Sequence, residues 1–223
     1  MTTKSEKEQL MQEIEKAVIS KNEIVITSHS ILDNIDEIIQ FIIKKSLKIE
    51  NNDIISPVFS CLKEIITNAL KANLRKMVMD KYHYSPEDDS VNILNELKKA
   101  LTEKELQKYT LLSRDIHLFI SIHFSFNNSD YLKIKIVNPV SLSNSQLERI
   151  NLKISRARDY ESLAHFYMEN PDPLAEGMGL GLSMVIVMLK GLGINPDNLT
   201  IDTNKLNRTT AVLKIPYNIS SGY

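Results

Sequence analysis

A carboxylate, an amide and an amine recur at helical spacing between Leu62 and Ala72. Glu64, Asn68 and Lys71 stand at i, i+4 and i+7, so they share a narrow arc if the segment is a helix. An amide oxygen suits Mg²⁺, a lysine neutralises phosphate charge, and a carboxylate can accept a proton from an attacking water or hydroxyl. The pattern predicts a site for a nucleoside triphosphate. The alternative is an amphipathic helix whose solvent side carries these residues without a ligand.

Glycines are concentrated in a second segment. Five of the six glycines lie between positions 177 and 193, and Gly177, Gly179 and Gly181 alternate just before an apolar helical pattern. Alternating glycines permit a loop whose N–H groups approach a ligand closely, and the following helix start adds donors and a positive dipole end. The spacing is neither a dinucleotide fingerprint nor a Walker loop. A phosphate cradle and a packing turn both stay open for this segment.

Hydrophobic periodicity predicts the elements that position these two segments. Helical patterns cover residues 5–20, 30–49, 54–80, 86–108, 145–158 and about 180–190, and Ser28 or Ser30 could cap the second helix. Alternating patterns predict strands over 23–27, 117–126, 131–137, 199–203 and 209–215. The predicted fold class is α+β, a two-layer α/β sandwich in which helices cover one face of a mixed, mostly antiparallel sheet.

Composition limits the class of protein. A net charge of −1 gives no field that would favour nucleic acid or an anionic membrane, and one cysteine excludes an internal disulfide. The apolar neighbours of Cys61 predict a buried thiol. The N-terminus shows no signal-peptide pattern, and no apolar run approaches the roughly 20 residues of a membrane helix. We therefore expect a cytoplasmic protein with neither a nucleic-acid nor a membrane partner.

The two segments together resemble the GHKL superfamily of ATP-binding proteins, which includes histidine kinases, type II topoisomerase ATPase subunits, mismatch-repair ATPases and ninety-kilodalton heat-shock chaperones. The superfamily's N box, ExxxNAxKA, is matched here by Glu64, Asn68, Ala69, Lys71 and Ala72. Its second glycine box, GxGLGL(S/A)xV, is matched by Gly177, Gly179, Leu180, Gly181, Leu182, Ser183 and Val185. The resemblance implies a Bergerat fold over residues 23–217, preceded by an N-terminal helix over 1–22.

The resemblance also implies roles for these residues. Asn68 would coordinate Mg²⁺, Glu64 would polarise the attacking group, and Lys71 would touch phosphate. The three alternating glycines would wrap the triphosphate of ATP. Ala72, Leu180 and Leu182 would belong to the same nucleotide site. Residues 159–176 would form a mobile ATP lid.

One motif of the superfamily is missing. The first glycine box, DxGxG, should follow the strand that ends near Val137, and its aspartate accepts a hydrogen bond from the adenine amino group. Here the chain continues Asn138-Pro139-Val140, with neither aspartate nor glycine. Asn138 could accept the same bond through its carbonyl oxygen. An ungapped alignment, however, sets Val137 at the aspartate's position and Asn138 one step later.

The resemblance implies that the chain is an ATP-binding, histidine-kinase-like domain that acts in signal transduction. The form without a phosphoacceptor hairpin is similar to anti-sigma-factor serine kinases, which act on a separate protein. The partner would be a response regulator, a sigma regulator, another phosphoacceptor protein or a second copy of the chain. The helical stretch 86–108 is an insertion that either docks a partner or is structural. Two alternatives to an enzyme stay open: a nucleotide-binding regulatory module without catalysis, and a scaffold that no longer binds nucleotide.

Overall fold

The fold is built from helices and strands that alternate in groups along the chain. The computed structural model describes residues 4–48, 52–85, 91–127, 129–160, 162, 165, 168, 180–204 and 208–219. Its helices are α1 (Lys4–Ile19), α2 (Asp36–Leu47), α3 (Asn52–Tyr82), α4 (Val91–Ala100), α5 (Glu103–Asp115), α6 (Asn144–Ala157) and α7 (Leu180–Gly191). Its strands are β1 (Ile24–Ser28), β2 (Ile120–Ser125), β3 (Tyr131–Asn138), β4 (Leu199–Asn204) and β5 (Arg208–Pro216).

The five strands form one sheet in the order β1-β2-β3-β5-β4. Alternation of apolar and polar residues sets the register, so that buried Ile122 of β2 pairs with buried Ile136 of β3, and Ile136 pairs with Ala211 of β5. These inward residues meet the helices, which confirms the predicted two-layer α+β sandwich. All pairings among the described strands are antiparallel, so the mixed pairing that we predicted is not present in them.

Helix α3 is the central helical element. It contacts α2, α4, α5, α7 and strand β3. Its apolar side enters the main core through Leu62, Ile65 and Ile66, which are each at most 5% exposed. Helix α1 joins the same core through Ile14 and is tied to α2 by the ion pair between Lys45 and Glu15. The N-terminal segment, which we assigned separately as 1–22, thus packs through its described residues on the segment that we assigned as 23–217.

The predicted helical insertion 86–108 is two helices in the described residues. Helix α4 ends at Ala100, and α5 begins after Thr102 and continues to Asp115, beyond the predicted limit. Both pack on the C-terminal half of α3 through a separate apolar cluster, which contains Leu74, Met77, Val78, Ala100, Leu106, Tyr109 and Leu118. Both helices therefore contribute apolar residues to the packing around the C-terminal half of α3.

The connection between β1 and α2 differs from the predicted capped helix. Helix α2 begins at Asp36 rather than near residue 30, and its N-cap residue, Ile35, makes no side-chain capping bond. Ser28 donates instead to Asp33, and Ser30 accepts a hydrogen bond from Thr110 of α5. The predicted capping role of either serine is therefore wrong. None of the helices in the described part of the chain has the length and apolar character needed to cross a membrane.

Candidate functional site

The polar side of α3 carries the residues that the first motif predicted. The side-chain Nδ2 of Asn68 donates to Oε1 of Glu64 at 3.0 Å, one helical turn away. Lys71 follows at i+3 from Asn68, and all three side chains are partly buried. Arg75 continues this side of the helix at i+4 from Lys71 and is 8% exposed. Arg75 was not among the predicted site residues, although its spacing from Lys71 is the signal that could have identified it.

The start of α7 lies directly against this polar side. A β-carbon built on Gly181 would overlap the carboxylate of Glu64, so the two chain segments touch where a side chain would otherwise stand. Glu64 and Gly181 belong to the two different sequence motifs, and the fold brings them together. Gly177 and Gly179 lie outside the described residues, as does most of the segment 159–176 predicted as a lid. Of Leu180 only its place at the start of α7 is described.

A cavity of about 100 Å³ lies between α3, α7 and the ends of the central strands. Four predicted site residues line it: Asn68, Ala72, Asn138 and Leu182. The other lining residues are mainly apolar: Ile65, Ala69, Ile136, Leu142, Ile150, Ile201, Thr209 and Ala211. An apolar cavity with a few fixed polar groups is typical of small-molecule sites, although this one suits a single ring system better than a whole nucleotide.

Asn138, at the end of β3, is held in place by two backbone groups. Its Nδ2 donates to the carbonyl oxygen of Ala69 in α3 at 2.8 Å, and its Oδ1 accepts from the N–H of Val140 at 3.0 Å. The side chain is 3% exposed. Val137 points to the opposite face of the sheet, because successive strand residues alternate. Asn138 rather than Val137 therefore faces the cavity, whichever of the two residues is aligned with the aspartate of the first glycine box.

A chain of hydrogen bonds continues from Asn138 into the last hairpin. Thr209, which is paired with Asn138 across β3 and β5, donates through Oγ1 to the carbonyl oxygen of Val140 at 2.7 Å. Because Thr209 has one hydroxyl proton, Thr203 must be the donor in the 3.3 Å contact between their two Oγ1 atoms. Thr203 Oγ1 accepts in turn from the N–H of Leu142 at 3.2 Å. The polar groups at this end of the cavity are thus fixed in direction.

A larger cavity, of about 350 Å³, lies on another side of α3. It is bounded by the β1–α2 connection and by the α3 residues Phe59, Lys63, Ile66, Thr67 and Leu70, none of which lines the smaller cavity. Lys63 at its edge is paired with Asp36. The predicted site residues are absent from its lining, so we place the candidate site at the smaller cavity and the polar side of α3.

The side-chain atoms at this site are of the types that bind a nucleotide and its Mg²⁺ ion. Glu64 and Asn68 offer oxygen atoms of the kind that Mg²⁺ prefers, and Lys71 offers a cation on the same side of α3. The adjoining cavity supplies apolar walls and the amide of Asn138 for a base. Anionic and aromatic parts of one ligand would thus meet suitable surfaces on both sides of Asn68.

Comparison with known proteins finds a distant relative. The chain is 26% identical over 216 residues to a protein of Treponema pallidum (strain Nichols) that is described as an uncharacterized protein. The match covers 93% of this chain and 40% of that protein, so the chain spans less than half of the relative's length. No protein-family model matches the chain, and no solved structure matches it.

Proposed function

We propose that this chain binds Mg-ATP as a histidine-kinase-like ATPase domain of the GHKL type and acts in signal transduction on a separate protein. The observation that carries the proposal is the contact between the two motifs. Gly181, at the start of α7, lies against the carboxylate of Glu64, which is hydrogen-bonded to Asn68. This contact brings the two motifs together, as a shared nucleotide site requires.

The amide of Asn68 is oriented for metal binding in this proposal. Its Nδ2 donates to Glu64, which leaves Oδ1 as the atom that can ligate Mg²⁺. When bound, Mg-ATP supplies the phosphoryl group and the metal charge that offsets the phosphates. Glu64 then accepts the proton of the attacking water or hydroxyl, and Lys71 stabilises phosphate charge. The backbone N–H groups of Gly177 and Gly179 would bind the same phosphates, as the resemblance implies.

The adenine base of ATP would lie in the cavity of about 100 Å³. Ile65, Ile136 and Leu182 offer apolar surface to its ring faces, and Asn138 offers polar atoms to its edge. The nucleotide would thus extend from Asn138 at one end to Glu64 and Lys71 at the other. Asn68, which lines the cavity and also bonds to Glu64, would stand between its two halves.

Calorimetric titration of Mg-ATP tests the proposal. We expect binding by the parent chain that weakens at least about tenfold, near 1.4 kcal/mol, in Asn68→Ala, because a metal ligand is lost. Asn92→Ala removes the same side chain from an exposed position on α4 and should bind as the parent does. Equal affinity of the parent and Asn68→Ala for Mg-ATP, or no binding by the parent, would refute the site.

A regulatory module that binds nucleotide without chemistry is the second candidate. It is favoured by the missing first glycine box, in which the aspartate has no counterpart and Asn138 lies one step after its position in an ungapped alignment. Phosphate release and label transfer from ATP separate the two candidates. An enzyme would show turnover that is lost in Glu64→Gln with ATP binding retained. A module would bind ATP and show no turnover in either protein.

The partner proposal follows from the histidine-kinase-like class. We propose a response regulator, a sigma regulator or another phosphoacceptor protein as the target, and a cytoplasmic location, where ATP is supplied. Incubation of the chain with labelled ATP and a purified candidate partner tests this. Transfer of label that requires Glu64 would support the partner, and label retained wholly as ATP or free phosphate would exclude that partner.

A further inference from the structure

We infer that the larger cavity, of about 350 Å³, is a second binding site and takes a free α-amino acid with a large apolar side chain. The inference goes beyond the proposed function, because none of the residues that line this cavity lines the smaller one. It rests on the size of the cavity, on its apolar walls and on the ion pair between Lys63 and Asp36 at its rim.

The apolar residues of the lining come from all three segments that bound the cavity. Ile39 of α2 and Ile66 and Leu70 of α3 are at most 5% exposed. Ile31 and Leu32 of the β1–α2 connection are 37% and 44% exposed, so part of this apolar surface is open to water. A ligand side chain that covered it would remove apolar surface from solvent. The volume lies in the range of small-molecule sites, about 300–1,000 Å³, and suits one large apolar side chain with its head group.

Three polar residues of the lining, Ser28, Ser30 and Asp33, are already bonded within the protein. Ser28 donates to Asp33, which also pairs with Arg114 of α5. The hydroxyl of Ser30 is hydrogen-bonded to that of Thr110 in the same helix. A ligand could bind these groups only at the cost of the bonds that hold the β1–α2 connection. The polar groups that a ligand can use therefore lie elsewhere in the lining.

The ion pair between Lys63 of α3 and Asp36 of α2 supplies such groups. Both residues line the cavity, and their side chains are 51% and 41% exposed, so a ligand can reach the pair. The Lys63 ammonium lies 5.8 Å from the ring centroid of Phe59, which also lines the cavity. One positive and one negative charge thus stand side by side next to an apolar surface.

An α-amino acid complements this arrangement. Its ammonium and carboxylate are carried by one carbon, so the first can pair with Asp36 and the second with Lys63 while the side chain enters the cavity. Lys63 has three N–H donors and can donate to a ligand while it keeps its bond to Asp36. A ligand with a carboxylate alone would be repelled by Asp36, and a ligand with an ammonium alone would be repelled by Lys63. The ion pair therefore selects a zwitterion over either single charge.

Calorimetric titration of the parent chain with leucine, phenylalanine and glycine tests the inference. We expect the two apolar amino acids to bind with dissociation constants of about 1 mM or lower, and glycine to bind at least about tenfold more weakly. Glycine carries the same two charges without the side chain, so the difference reports the contribution of the apolar walls. No binding by either apolar amino acid, or equal binding of glycine, would overturn the inference.

Two analogues of phenylalanine test the part played by the ion pair. Phenylpropionate lacks the ammonium, and phenethylamine lacks the carboxylate, while both keep the aromatic side chain. We expect each analogue to bind at least about tenfold more weakly than phenylalanine, because each leaves one charge of the ion pair opposed by a like charge. If either analogue bound as tightly as phenylalanine, the site would recognise a single charge and the inference would fail.

The variant Lys63→Met removes the cation and keeps most of the apolar stem of the side chain. We expect its affinity for phenylalanine to fall at least about tenfold. Lys76→Met is the matched control, because it breaks an exposed pair with Asp80 on the same helix and Lys76 does not line the cavity. An unchanged affinity in Lys63→Met, or an equal loss in both variants, would contradict the inference.

Asn68→Ala separates this inference from the proposed function. Asn68 lines the smaller cavity and not the larger one, so the variant should keep the parent's affinity for phenylalanine. Loss of phenylalanine binding in Asn68→Ala would place the amino acid in the smaller cavity and overturn the inference. A parent chain that bound phenylalanine and failed to bind Mg-ATP would overturn the proposed function alone.

Discussion

Gly181 occupies a position where a side chain would meet a charged group. The first turn of α7 can lie against Glu64 because glycine has no β-carbon. Helix α7 is anchored by Leu182, Val185 and Ile186, all at most 8% exposed, so it cannot easily withdraw. A larger residue at position 181 would instead displace the flexible carboxylate end of Glu64. The glycine therefore controls the geometry of the Glu64–Asn68 pair.

Replacement of Gly181 with alanine should weaken ligand binding more than it weakens the fold. We expect the affinity for Mg-ATP, measured by calorimetry, to fall about tenfold, near 1.4 kcal/mol. The higher helix propensity of alanine, about 0.5–1 kcal/mol, partly offsets the cost of moving Glu64. Gly191→Ala, at the exposed end of the same helix, is the matched control. If both variants bound as the parent does, the Gly181 contact would have no role in binding.

Cys61 provides a pH-dependent test of the core. It is fully buried, as predicted, and burial raises its pKa from 9.0 to about 12. Because the pKa of the Cys61 thiol is higher in the folded chain than in the unfolded chain, burial of the neutral thiol contributes fully to stability below pH 9. This contribution is lost as pH rises towards 12. In this window the free energy of unfolding of the parent should fall more steeply than that of Cys61→Ala, by up to about 1.4 kcal/mol per pH unit.

Urea denaturation at a series of pH values from about 8 to about 11 measures this difference in slope. The alanine variant carries all the other groups that titrate in the same range, including Tyr109 and Tyr217, whose pKa values are raised by burial. Its curve therefore supplies the background for the parent. Parallel curves for the two proteins would show that the Cys61 thiol is not held in its neutral form by the core.

Single residues show where spacing along the sequence is informative. Glu64 and Asn68 could be predicted to share a side of α3, because helical geometry brings positions i and i+4 together. Asn138 could not be placed in the same way. A shift of one residue in a strand moves a side chain to the other face, and the decisive partners, Ala69 and Val140, are backbone groups without a sequence signature.

At the scale of elements, the β1–α2 connection depends on a single carboxylate. Asp33 accepts hydrogen bonds from the backbone N–H groups of His29 and Ser30 and pairs with Arg114 of α5 at 2.9 Å. Burial alone would raise the pKa of Asp33, but the bonds from His29, Arg114, Ser30 and Ser28 outweigh it and lower the pKa. This carboxylate therefore joins the connection to the inserted helices.

Substitution Asp33→Asn should destabilise the chain by about 1.5–3 kcal/mol, the range for hydrogen bonds to a charged group. Because the folded-state pKa is lowered, this contribution is present above the ordinary value of 3.8 and is lost as pH falls below it. Urea denaturation at neutral pH measures the effect. Asp80→Asn breaks an exposed pair with Lys76 and should cost less than about 1 kcal/mol. Equal losses in both variants would contradict a special role for Asp33.

Element types were easier to predict than element ends. The strong periods of α3 and of the β2–β3 pair gave both the type and the approximate bounds. We predicted one helix over 86–108, whereas the structure has two, α4 and α5. Both helices place apolar residues against α3, and the break at Leu101 and Thr102 interrupts the hydrophobic period only briefly. The start of α2 was misplaced because Ser28 and Ser30 serve Asp33 and α5 rather than a helix cap.

At the scale of the whole molecule, α3 stands between two cavities with separate linings. The smaller adjoins α7 and the strand ends, and the larger adjoins the β1–α2 connection. The α+β class could be predicted from periodicity alone. The meeting of Glu64 with Gly181 could not, because a contact between positions so far apart depends on the packing of α7 against α3, and only the resemblance to ATP-binding proteins implied it.

The most direct test of the central claim is to observe the side-chain amides of Asn68 and Asn138 by NMR while Mg-ATP is added. Loss of each signal in Asn68→Ala and Asn138→Ser provides the assignments, and exposed Asn92 serves as an internal reference. We predict that the amide signals of Asn68 and Asn138 both shift with the same saturation, while that of Asn92 stays in place. Binding that leaves both signals unmoved, or no binding at all, would contradict the account.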